Sequence, residues 1–105
     1  MLALPQNPKI SDFQKYVQEM EKERDFIDEP ILKKCLLLGE EIGELFKAIR
    51  KQTGFKTDAK STAYQIDEEL ADVFIYLCEI ANRYKIDLEK AFRDKEEINK
   101  KRVWK

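Results

Sequence analysis

The stretch LLLGEEIGELFKAI, residues 36–49, decides how this chain reads. Its apolar residues fall all around a helical axis, yet Glu41 and Glu44 stand inside it one turn apart. A second stretch, IDEELADVFIYLCEIA at residues 66–81, repeats the arrangement with Glu69 and Asp72. Residues spaced i, i+3 on a helix point the same way. Leu38 and Leu45 flank Glu41 on its own face, and Ile66 and Val73 flank Glu69. Acids among such neighbours are seldom buried without a partner, and a cluster of them is costly to bury unless cations neutralise it. Within these stretches only Lys47 is available for that. Divalent metal serves better, because Mg²⁺ takes oxygen ligands and keeps positions open for water and phosphate. Spacing alone is a weak signal: 21 acids in 105 residues give about four such pairs by chance. The apolar neighbourhood singles these two out, and the competing reading is a helical oligomer with a polar seam in its core.

Working outward, four helices and no strand-like alternation are expected, so the fold class is all-α. Ser11 reads as an N-cap with Gln14 as its capping-box partner, opening a first helix whose stripe is Phe13, Tyr16, Val17 and Met20. That helix should end between Asp25 and Glu29, since Pro30 disfavours helical geometry before it. Pro30 suits the first turn of the second helix, which runs to about Lys51. A loop from Gln52 to about Thr62 contains Gly54. The third helix should run from about Ala63 to Tyr84, and Asp87 should cap a fourth that continues to near Arg102. The second and third helices are apolar on every side and need cover on every side. One short chain can hardly supply it, which predicts a homo-oligomer, a dimer or dimer of dimers, that completes the bundle.

Composition excludes several classes. The 105 residues are expected to form a single domain, 1–105, with its core at about 11–102. A formal net charge of -1 leaves no basic excess for a sequence-independent grip on nucleic acid. The absence of histidine removes histidine acid–base chemistry and His-ligated zinc or iron from a single chain. Cys35 and Cys78, far apart and flanked by apolar residues, read as small buried thiols. No signal peptide or membrane-spanning run is read, so no membrane partner and a cytoplasmic location are expected.

Further along, Lys95, Asn99 and Arg102 follow an i, i+4, i+7 spacing on one face of the fourth helix. Two cations and an amide can meet phosphate oxygens there, although cations near a helix C-terminus also suit the helix dipole. With these residues in place, the chain resembles the MazG-type nucleotide pyrophosphohydrolases of the all-α NTP pyrophosphatase superfamily. Glu41 and Glu44 match the family's Glu-x-x-Glu, and after 24 residues Glu69 and Asp72 match its Glu-x-x-Asp. FRDKEEINKKR, residues 92–102, resembles its Lys-x-x-x-Asn-x-x-Arg ending. The resemblance covers about Ser11 to Arg102, as a single unit without the tandem repeat of longer MazG proteins.

The resemblance implies Mg²⁺-dependent (Mn²⁺ being an alternative ion) hydrolysis of a nucleoside triphosphate to a monophosphate and pyrophosphate, as in the cleaning of nucleotide pools. It implies Glu41, Glu44, Glu69 and Asp72 as metal ligands, with Glu41 or Glu44 also handling the attacking water. Lys95, Asn99 and Arg102 would hold the pyrophosphate portion, in sites often shared between subunits. Phe13, Phe55, Tyr76 and Trp104 are the aromatic candidates for stacking on a base. The alternatives are a phosphoribosyl-ATP pyrophosphohydrolase and a non-enzymatic helical dimer acting as a binding or regulatory module.

Overall fold

The computed structural model describes residues 2–54 and 65–103, and among them every regular element is a helix. The order is α1 (Ile10–Glu23), α2 (Ile31–Gln52), α3 (Ile66–Arg83) and α4 (Leu88–Lys100). The chain divides into two compact units, residues 1–28 with 78–105 and residues 29–77, and α3 contributes residues to both.

In the first unit α1 begins two residues before the expected cap would allow. Lys9 is the N-cap, and the Asp12 carboxylate accepts its backbone N–H at 2.8 Å. Gln14 is not a capping partner. It is buried, and its amide closes the turn between α3 and α4. Gln14 Nε2 donates to Ile86 O at 2.8 Å and to Asn82 Oδ1 at 3.2 Å, while its Oε1 accepts from the Leu88 N–H at 2.9 Å. Asn82 Nδ2 returns a bond to Gln14 O at 2.8 Å. Buried polar groups need such partners, and here they lock α1 onto the end of α3. Val17, Met20 and Glu21 are the other buried residues of α1, and Cys78, Glu79 and Ala81 are the buried residues of α3.

Helix α1 stops at Glu23, earlier than Pro30 alone suggests. The cause is a Schellman ending: Asp25 takes φ 61°, its N–H reaches Lys22 O, and Phe26 N–H reaches Glu21 O at 2.8 Å. Helix α3 ends identically, with Lys85 at φ 56° and Ile86 N–H on Ala81 O at 2.8 Å. Asp87 then caps α4 as expected, accepting from the N–H groups of Glu89 and Lys90.

In the second unit Pro30 is the N-cap of α2 rather than its first helical residue. Lys34, in the first turns of α2, is 1% exposed and pairs with Glu29 at 3.1 Å. Lys33 also pairs with Glu29; these two hydrogen bonds hold the Glu29 carboxyl below its ordinary range. Gly54, at φ 84°, ends the helix. The expected loop and the start of α3 at Ala63 lie almost wholly outside the described residues. Both cysteines are free, but Cys35 is exposed, against expectation, because it faces away from the Lys34 side of α2. Cys78 is buried, which pushes its thiol up to about 11.

Candidate metal centre and phosphate face

One face of α2 carries Lys34, Leu38, Glu41, Leu45 and Ala48, all buried or half-buried. This i, i+4, i+7 register draws Glu41 inward with its apolar neighbours. On α3 the first turns bring Glu69, half-buried, and Asp72, exposed, to the same place. One carboxylate oxygen from each of Glu41, Glu69 and Asp72 lies within 4.8 Å of the other two. Three like charges at that separation repel unless a proton or a cation intervenes. The Glu41 carboxyl is accordingly held above its ordinary range. Partial burial is the largest cause, followed by the charges of Asp72 and Glu69, a hydrogen bond with Glu69, and the charge of Glu44.

A second observation points the same way. Glu69 Oε2 is buried and has no hydrogen-bond partner. A buried carboxylate oxygen left unmatched costs free energy, and a cation bound to it would remove that cost. The donor set is all oxygen, which suits a hard divalent ion. Three of the four expected metal ligands are therefore brought together. Glu44 stands apart: it is exposed and outside the three-carboxylate group, acting on Glu41 through its charge.

The other expected set lies in the first unit, with Lys95 and Asn99 on α4 and Arg102 just beyond it, because the helix ends at Lys100 rather than near Arg102. Lys95 and Arg102 are exposed and Asn99 is half-buried. Asn99 Nδ2 donates to Glu96 Oε2 at 3.4 Å, whereas its Oδ1 is buried without a hydrogen-bond partner. No residue of α4 is buried as a whole. Of the aromatic candidates, Phe13 and Tyr76 are half-buried and Phe55 and Trp104 lie outside the described residues. Sequence reasoning missed the burial of Lys34; the Glu29–Lys33 spacing of i, i+4 was the one local sign of an ion group there.

The profile of the MazG nucleotide pyrophosphohydrolase domain matches residues 31–103, more than half of the chain and all of α2, α3 and α4. The chain belongs to this family. In the MazG domain so defined, the match contains both acidic pairs and the basic α4 face. Helix α1 precedes the matched region, although Gln14 ties it to the α3–α4 turn. No curated protein matches the sequence. No helix among the described residues is long and apolar enough to cross a membrane.

Proposed function

We infer that this MazG domain hydrolyses nucleoside triphosphates between the α- and β-phosphates, releasing a monophosphate and pyrophosphate. The observation that carries the reading is the convergence of Glu41, Glu69 and Asp72 with an orphaned Glu69 oxygen. Those three carboxylates, with Glu44 beside them, would hold Mg²⁺ or Mn²⁺. Such an ion, when bound, screens the triphosphate and lowers the pKa of a coordinated water. Glu41, half-buried beside Glu69 and Asp72, is placed to take the proton from the attacking water, and no histidine is present to do so. Lys95, Asn99 and Arg102 hold the departing pyrophosphate as charge develops on it.

The reading includes a homo-oligomer. Leu32, Leu36, Gly39, Gly43 and Phe46 form an exposed stripe along α2, opposite the Glu41 face; its three large residues are 68%, 64% and 65% exposed. A Cβ added at Gly39 or Gly43 would meet nothing within 4 Å in the chain. Glycine costs about 1 kcal/mol relative to alanine in a helix interior, and close approach of a second copy gives these two a purpose. We place the protein in the cytoplasm, acting on the nucleotide pool.

The experiment is a panel of ribo- and deoxyribonucleoside triphosphates and phosphoribosyl-ATP, each with Mg²⁺, scored for pyrophosphate. Release from a nucleoside triphosphate is the expected result. Release from phosphoribosyl-ATP alone would move the activity to that substrate. Silence across the panel, with no Mg²⁺-dependent gain in Tm, would leave a non-enzymatic helical module.

A further inference from the structure

The N-terminus of α1 and the first turns of α4 border an open cleft of about 730 Å³, lined by Pro8, Lys9, Ile10, Glu89, Phe92 and Arg93. All six belong to the first unit. The wall is of two kinds: Pro8, Ile10 and the ring of Phe92 are apolar, while Lys9, Arg93 and Glu89 bring polar groups to the edge. Arg93 Nε donates to Glu89 Oε2 at 3.0 Å, which orients the guanidinium plane along α4.

Phe92 is 68% exposed, a large aromatic left open on a helix none of whose residues is buried. A single exposed apolar residue needs no explanation. This one has two further properties. It lines the cleft, and on α4 it stands i, i+3 and i+7 with Lys95 and Asn99, so it shares their face, with Arg102 just past the end of the helix. From Phe92 to Asn99 the rise along the helix is about 10 Å, comparable to the reach of a nucleotide from base to phosphates. An aromatic at one end of a face and cations at the other match a ligand with a flat π-surface at one end and charge at the other.

We propose that this cleft is the nucleobase slot, with the base stacked on Phe92 and its polar edge toward Lys9 and Arg93. The triphosphate then lies along α4 toward Lys95, Asn99 and Arg102. This rests on the nucleotide reading above and adds to it the part of the molecule that contacts the base. Stacking on one aromatic face is sequence-tolerant, because every base has a π-face. The slot therefore favours nucleotides over inorganic triphosphate more than it favours one base over another, with purines ahead of pyrimidines through their larger area.

The test compares the dissociation constants of α,β-methylene analogues of ATP, GTP, CTP and UTP with that of inorganic triphosphate, by calorimetry with Mg²⁺. The natural chain should bind at least one analogue about tenfold or more tightly than inorganic triphosphate. Phe92→Ala should bring the two within about twofold to threefold, chiefly by weakening the analogue. Phe92→Trp should restore the preference, and circular dichroism checks that both variants fold, as the exposure of Phe92 leads one to expect. A natural chain that binds inorganic triphosphate and the analogues equally well, or not at all, overturns the proposal. So does a preference that survives Phe92→Ala. Pyrophosphate release from natural triphosphates is measured in parallel. If the base-dependent preference is present but release is absent, the hydrolase reading falls and the slot stands.

Discussion

The carboxylates of α2 and α3 and the polar face of α4 are both charge clusters on helices, built on opposite terms. Glu41 and Glu69 are half-buried, and with Asp72 they bring like charges within 4.8 Å of one another. The raised Glu41 carboxyl and the unmatched Glu69 oxygen record the cost. Along α4 the charges stay in water and alternate in sign: Lys90 pairs with Asp94, Arg93 with Glu89 and Lys100 with Glu97, all at helical spacing. Exposed pairs of this kind are worth little each. The acidic cluster thus gathers like charge before any ligand arrives, whereas the charges along α4 are mostly paired and solvated, with the buried Asn99 Oδ1 as the one unmatched polar atom on that face among the described residues. Pre-organised charge is where the largest share of catalysis is expected.

Breaking the organised side should therefore hurt most. Glu69→Gln or Asp72→Asn should lower kcat by about 100-fold or more with Mg²⁺ and abolish the metal-dependent gain in Tm. Pyrophosphate-release kinetics with a metal titration check this, and unchanged metal affinity and turnover would remove the cluster from the reaction. Breaking the solvated side should cost less and in a different parameter. Lys95→Ala should raise KM about tenfold, one charge-assisted contact, with a smaller change in kcat. If kcat fell instead by as much as in Asp72→Asn, α4 would stabilise the transition state as strongly as the acids do, and the contrast between the two regions would fail.

The helices and the inward placement of Glu41 were legible in the sequence because their signals are local. Hydrophobic neighbours at i−3 and i+4 place Glu41 inward, and Asp87 caps α4 through bonds two and three residues away. What was not legible depends on distant partners. Ser11 and Gln14 fit a capping box by spacing, yet the Lys9 N–H is taken by Asp12 and Gln14 bonds to groups 68 to 74 residues away. The end of α1 is set by a non-glycine residue in the left-handed region, which no breaker announces. Cys35 and Lys34 sit side by side in sequence with burial opposite to their type, because rotation about α2 decides which one meets Glu29. At the site, spacing selected four acids but geometry gathers three, since whether Glu44 turns toward Glu41 depends on how far round α2 the cluster extends.

The smallest effect sharpens the comparison most, because it separates electrostatic cost from catalytic value. A carboxyl whose pKa is raised in the folded state is stabilised in its protonated form. Glu41 therefore adds no repulsive cost below its unfolded pKa of about 4.5. Destabilisation sets in as pH rises from there through the raised folded value and is complete above it. Glu41→Gln removes the charge and keeps the shape, so without metal the variant should melt higher than the natural chain at pH 7. The gain should be small, a few degrees at most, and should vanish near pH 4. Saturating Mg²⁺ should reverse the order, because binding stabilises only the protein that retains the ligand. Paired melting curves at pH 4 and pH 7, with Mg²⁺ and with chelator, read all four values. A variant that melts lower than the natural chain at pH 7 in chelator would show that the Glu41 carboxylate is held by favourable contacts. The acids would then be no more strained than the ion pairs of α4.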